Sequence, residues 1–124
     1  MDAAQVLQQI QQGQIAPVYF LHGPESYWHE AIVGQLRQAL LPPGDVLNVA
    51  VLDGRSVEWA EVMAQARTVP FLAGHRLVIV RESEHLLGKD QGKERGGIAA
   101  ELERYLHEPV PTTCLVFRQD AELD

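Results

Sequence analysis

Pro17-Val18-Tyr19-Phe20-Leu21-His22-Gly23 decides the fold. Between a proline and a glycine, the apolar residues run without alternation, as they do in a strand covered on both faces. Strands of that kind belong to parallel sheets flanked by helices. Upstream, Ala3, Val6, Leu7 and Ile10 recur at helical spacing ahead of Gly13, which predicts a short amphipathic helix ended by that glycine. Downstream, Trp28, Ile32, Leu36 and Leu40 fall four apart within residues 25–40, and Glu25 and Glu30 lie near the positive end of the helix dipole. Pro42-Pro43-Gly44 stops that second helix.

The pattern then repeats. Leu47-Asn48-Val49-Ala50-Val51-Leu52 predicts a second strand, closed by an Asp53-Gly54 turn, and Ser56 is placed to cap a helix whose Trp59, Val62, Met63 and Ala66 share a face. Leu77-Val78-Ile79-Val80 is the third strand, and the polar, glycine-rich stretch from Gly88 to Gly97 reads as an exposed loop. Ile98, Leu102, Tyr105 and Leu106 mark a further helix, Pro109 and Pro111 break it, and Cys114-Leu115-Val116-Phe117 supplies a fourth strand. Strands alternating with helices predict an α/β fold, a mainly parallel sheet with helices on both faces joined by right-handed crossovers. A chain of 124 residues, 46% of them hydrophobic, suits one domain. Asp120-Ala121-Glu122-Leu123-Asp124 shows no closing signal, which points to a longer natural protein.

The formal charge of -7, with acidic residues scattered along the chain, argues against a surface that tracks phosphates, so any contact with DNA is expected to be indirect. Cys114 is the only cysteine, which excludes an internal disulfide, and its apolar surroundings predict a buried thiol in a reducing compartment. The first residues lack the basic and apolar regions of a signal peptide, and no run approaches the roughly 20 apolar residues of a spanning helix. A cytoplasmic protein without a membrane contact is expected.

In an open α/β sheet, ligands bind beyond the carboxyl ends of the strands, so the turn Gly23-Pro24-Glu25-Ser26 is where a phosphate loop would lie. A working loop needs free backbone N–H groups, a Lys for the β and γ phosphates and a hydroxyl for magnesium. This turn offers a proline, a carboxylate and no Lys. At the end of the third strand, where such enzymes keep a magnesium-binding Asp, the sequence reads Val80-Arg81-Glu82. Nucleotide hydrolysis is therefore not expected. Gly88-Lys89-Asp90-Gln91-Gly92-Lys93-Glu94 mimics a phosphate loop but follows no strand directly and lacks Ser or Thr after Lys93. Asp53 ends a strand as a receiver-domain phosphoacceptor would, yet Leu21-His22 supplies no acidic pair for magnesium. His22, His29, His75, His85 and His107 show no metal-ligand spacing, and no Gly-x-Ser-x-Gly elbow is present. No catalytic residue, metal or cofactor is expected.

Thr68-Val69-Pro70-Phe71-Leu72-Ala73-Gly74-His75-Arg76 is unusual in placing an adjacent Phe and Leu in a short helix-to-strand connection. Leaving them in water forgoes roughly 1.5 to 3 kcal/mol of burial each. Either they fold back onto their own core or they plug a pocket on something else.

Residues 17–27, Leu52-Asp53-Gly54, and Thr68 through Leu72 followed by Arg76-Leu77-Val78-Ile79-Val80-Arg81 together resemble, in order and spacing, the N-terminal domain of the delta subunit of bacterial DNA polymerase III. No single motif is specific; the series is, and it spans nearly the whole chain. The resemblance implies a P-loop NTPase-like fold of AAA+ type with a degenerate nucleotide site at Gly23, Pro24, Glu25 and Ser26. It implies that residues 1–124 are the N-terminal domain of a longer protein, cut short before a fifth strand beside strand one, with lid and collar domains absent. It implies that Phe71 and Leu72, next to Pro70 and on a short helix in the family, bind the sliding clamp (the beta subunit) and help open it for loading onto primed DNA during replication. Other clamp-loader subunits would be met through the absent C-terminal domains, and catalysis by the holoenzyme would lie elsewhere. Three rival readings are a non-catalytic nucleotide-binding regulatory domain of P-loop descent, a receiver-like domain using Asp53, and an unrelated scaffold with Phe71 and Leu72 in its core.

Overall fold

The computed structural model describes residues 2–23, 25–88 and 97–119. The chain runs α1 (Ala3–Gln11), β1 (Val18–Leu21), α2 (Ser26–Leu40), β2 (Val49–Asp53), α3 (Trp59–Ala66), β3 (Arg76–Arg81), α4 (Ser83–Gly88), α5 (Gly97–His107) and β4 (Thr113–Arg118). All strand pairs are parallel, and the sheet order is β1-β4-β3-β2. The α/β class read from the unbroken apolar runs is the observed one.

Parallel strands expose two apolar faces, and the two central strands sort their side chains between two cores. Leu77, Ile79, Cys114 and Val116 point to a cluster with Ile10 of α1 and Ile32, Val33 and Leu36 of α2. Val78, Val80, Leu115 and Phe117 point the other way, onto Trp59, Val62 and Ala66 of α3, Leu86 of α4 and Tyr105 of α5. The period-2 alternation of a strand makes this division automatic once β3 and β4 lie in the middle. α1 starts with a capping box, in which the Gln5 amide N–H donates to the Asp2 carboxylate (2.9 Å) and the Asp2 N–H to the Gln5 side chain (3.1 Å). It ends as expected at Gly13, whose φ of 83° suits glycine.

Several local expectations need correction. Leu47 lies outside β2 and is exposed, because the Asp45 carboxylate takes the Leu47 and Asn48 N–H groups into a turn before the strand begins. Ser56 does not cap α3; its hydroxyl and N–H turn back to the Asp53 carbonyl, and Glu58 precedes the helix without a side-chain cap. Glu30 lies past the first turn of α2, which holds no acidic residue, and pairs with Arg118 at 2.5 Å. α4 was not foreseen: six residues with one fully buried side chain, Leu86, are too short for a periodic signal. Of the stretch read as a loop from Gly88 to Gly97, residues 89–96 lie outside the described ones, as do the final five.

β1 is also less covered than its run suggested. It occupies one edge of the sheet, pairing only with β4 among the described residues, and Phe20 is exposed even though it stacks on Phe117 with ring centroids 5.2 Å apart. At the β2 end of the sheet, the Asp53-Gly54 turn presses against the turn after β3: the Gly54 N–H donates to the Arg81 carbonyl at 2.7 Å. A Cβ on Gly54 would fall 2.3 Å from the Glu82 carbonyl oxygen and 2.8 Å from that of Arg81. Both obstacles are backbone. Gly54→Ala is expected to destabilise the fold by about 2 kcal/mol or more, read as a lower denaturation midpoint; an unchanged midpoint would mean that the two turns separate freely. Burial pushes the Cys114 thiol up to about 12, so it should resist alkylation at pH 8 in the native protein and react at once in denaturant.

Candidate functional site

The carboxyl ends of the strands gather at one end of the sheet. There β1 leads through His22 and Gly23, whose φ is 106°, to Glu25 and the first turn of α2 beginning at Ser26. Pro24, the remaining member of this candidate nucleotide turn, lies outside the described residues. Beside the turn is a cleft of about 550 Å³ between α1 and α2, lined by Phe20, His22, Gly23, Glu25, Trp28 and Asp2 among others. Its described lining includes two carboxylates and no Lys or Arg, a poor match for a triphosphate.

Asp53 at the end of β2 accepts from the Arg55 N–H and guanidinium, and those contacts hold its carboxyl below the ordinary range. The same guanidinium lies 3.1 Å from Glu82. Glu82, Glu84 and His85 bring one ligand atom each within 4.8 Å of one another, a proximity that the spacing of histidines alone did not reveal. Arg55 already supplies positive charge at that cluster, which opposes a cation.

The opposite end of the sheet carries the apolar pair. α3 ends with three carbonyls taken by side chains: Ala64 by the Thr68 hydroxyl (2.7 Å), Gln65 by Arg76 Nε (3.0 Å) and Ala66 by the Thr113 hydroxyl (2.7 Å). Arg76, itself buried, also donates to the Gln65 side chain and to the Leu47 carbonyl at 3.4 Å. Between these anchors, residues 68–75 form a bend rather than the short helix implied by the family resemblance. Pro70 is half-buried, while Phe71 and Leu72 are 59% and 88% exposed, and Val69 and Leu47 are exposed beside them in the chain or across the turn. The reading that puts Phe71 and Leu72 in the core fails on that exposure.

The backbone under the pair is held although its side chains are not. Phe71 N–H donates to Asn48 Oδ1 at 2.6 Å, and Asn48 Nδ2 donates to the Phe71 carbonyl at 2.9 Å. Asn48 is 1% exposed. Its second amide hydrogen goes to Asp45 at 2.8 Å, and this side-chain hydrogen bond is the first cause of the lowered Asp45 carboxyl pKa. Leu72 follows with φ 56°, a left-handed conformation that costs a non-glycine residue roughly 1 to 2 kcal/mol. Sequence reasoning found the pair and missed its support; the local signal was Asp45 three residues before Asn48, the spacing of a side-chain-capped turn.

The order of the strands and the burial of the central pair on both faces define an α/β domain, a parallel sheet between two helical layers. Its structure superposes on the DNA clamp loader delta protein of Bacillus subtilis with a TM-score of 0.79 and 29% sequence identity, covering 98% of this chain and 36% of that one. The chain belongs to the DNA polymerase III delta subunit family, whose model matches residues 19–124. It is 30% identical over 112 residues to DNA polymerase III subunit delta of Bacillus subtilis, a match that takes in 90% of this chain and 32% of that protein. The chain thus spans about a third of the length of the relatives it matches. Among the described residues, no helix is long and apolar enough to cross a membrane.

Replacing Leu72 by glycine removes the left-handed penalty without removing a packed side chain. Leu72→Gly is expected to keep or raise stability, by about 0.5 kcal/mol, in denaturant unfolding. A loss of stability would show that the leucine packs on the fold after all.

Proposed function

We propose that this chain is the clamp-engaging domain of a clamp-loader delta subunit. Phe71 and Leu72, stiffened by Pro70, enter an apolar pocket on the sliding clamp, and the contact helps hold the ring open for loading onto primed DNA during replication. One observation carries this reading: in a member of the delta family, two adjacent large apolar side chains stand in solvent on a pinned backbone, with Leu72 held in a left-handed conformation that a free loop would abandon.

Two such anchors entering a preformed pocket contribute roughly 2 to 4 kcal/mol each when they act as hot spots. A protein that binds the open clamp better than the closed one shifts the ring by its differential affinity and needs no hydrolysis of its own. The turn Gly23-Pro24-Glu25-Ser26 is then a degenerate nucleotide site in an AAA+-type fold, a reading supported by the carboxylates and missing Lys around its cleft. Contacts with the other loader subunits belong to parts corresponding to the remaining two thirds of the relatives, and DNA is met through the assembled complex. β1 at the sheet edge is where a fifth strand would add.

Calorimetric titration of the intact protein into its cognate sliding clamp tests the proposal, beside a Phe71→Ala, Leu72→Ala double variant whose fold is checked by circular dichroism. At about 1.4 kcal/mol per tenfold, the double variant should bind roughly thirtyfold or more weakly. Equal affinity would place the contact elsewhere. Absence of clamp binding together with saturable ATP binding would favour the nucleotide-regulator reading.

A further inference from the structure

Phe71 is the only residue of the 68–75 bend whose backbone N–H and carbonyl are both taken, among the described hydrogen bonds, by one side chain from elsewhere in the fold. Asn48 meets them as a neighbouring strand would, one donor and one acceptor side by side, across 23 positions of sequence. The pairing leaves no freedom in the amide orientation. Nδ2 serves both the Asp45 carboxylate and the Phe71 carbonyl, so a flipped amide would set its oxygen against two acceptors and its nitrogen against an N–H donor. Asp45 in turn is fixed by accepting the Leu47 and Asn48 N–H groups at 2.8 and 3.1 Å. Asn48 is itself built into the sheet, its carbonyl accepting from Leu77 N–H at 2.9 Å at the start of β3.

We infer that Asn48, oriented by Asp45, is the positioning residue that presents Phe71 and Leu72 to the partner; this rests on the clamp-engaging reading above. Its side chain is too deeply buried to touch a docked protein and acts through the Phe71 backbone. With the peptide of Phe71 held, the next residue is left to turn, and Leu72 does so through its positive φ, which directs a side chain 88% exposed outward beside Phe71. Among the described residues, the remaining hydrogen-bond anchors of the bend lie at its ends, Thr68 on the Ala64 carbonyl of α3 and Arg76 of β3 on the Gln65 carbonyl. Without Asn48 the pair would sample many arrangements, of which few suit a preformed pocket, and binding weakens by the fraction lost.

The test combines clamp titration with amide hydrogen exchange for the intact protein and three variants: Phe71→Ala, Asn48→Ala and Asp45→Asn. Exchange at Phe71 reports the pinned peptide, and exchange at Val78 and Val80 reports the sheet. Asn48→Ala is expected to speed exchange at Phe71 and to weaken clamp binding, each by about tenfold, while Val78 and Val80 stay within about twofold of the parent. Asp45→Asn, which leaves the buried amide in place but turns an acceptor into a donor, should do the same by about threefold, and it carries the test if Asn48→Ala loosens the sheet. If Phe71→Ala weakens binding while both other variants bind like the parent, the positioning inference is overturned and the proposed function stands. Weaker binding by the Asn48 and Asp45 variants with unchanged Phe71 exchange also overturns it. If the parent does not bind, or Phe71→Ala binds as the parent does, the functional reading fails and takes the inference with it.

Discussion

Everything else in this fold follows from burying β3 and β4 on both faces. Two parallel strands with no polar face need a helical layer above and below, and the side chains of Leu77 to Val80 and Cys114 to Phe117 supply both cores in alternation. α1 and α2 close one side, α3, α4 and α5 the other. Because these two strands take the centre, β1 and β2 are forced to the edges, where coverage thins and Phe20 and Val51 remain exposed. The same arrangement sets every strand's carboxyl end at one pole of the molecule and every amino end at the other.

That polarity separates two kinds of surface. The carboxyl pole is charged and internally paired, with Asp53, Arg55 and Glu82 in one network and Glu30 with Arg118 in another. The amino pole holds Arg76 and Asn48 out of solvent and uses them on backbone carbonyls and on the Phe71 peptide. Buried polar side chains are tolerable only when their donors and acceptors find partners. At this pole the partners are the ends of α3 and the bend itself, so the groups that hold the connection also set its shape.

The parallel sheet was legible because two-sided burial leaves an unbroken apolar run, and the helices because α2, α3 and α5 are long enough to repeat. Legibility failed where a side chain competed with the backbone. Leu47 belongs by composition to the strand that follows, and only the Asp45 carboxylate keeps it out. Ser56 has the chemistry of a cap but serves the turn from Asp53. α4 depends on one buried leucine, below any periodic threshold. Phe71 and Leu72 were visible as an anomaly, since two large apolar residues beside a proline in a connection demand an explanation. Their support was not, because an asparagine inside an apolar run carries no sign of the peptide it will meet 23 residues later.

The grip of Asn48 on Phe71 also bears on time. A connection that must order itself on docking associates slowly or forgoes part of its affinity, whereas one already held meets its partner as a rigid feature. Encounter for such a feature is limited by diffusion and orientation, and the persistence of a complex by how well the contact fits. In any complex built on such a pre-ordered connection, control lies in the dissociation step.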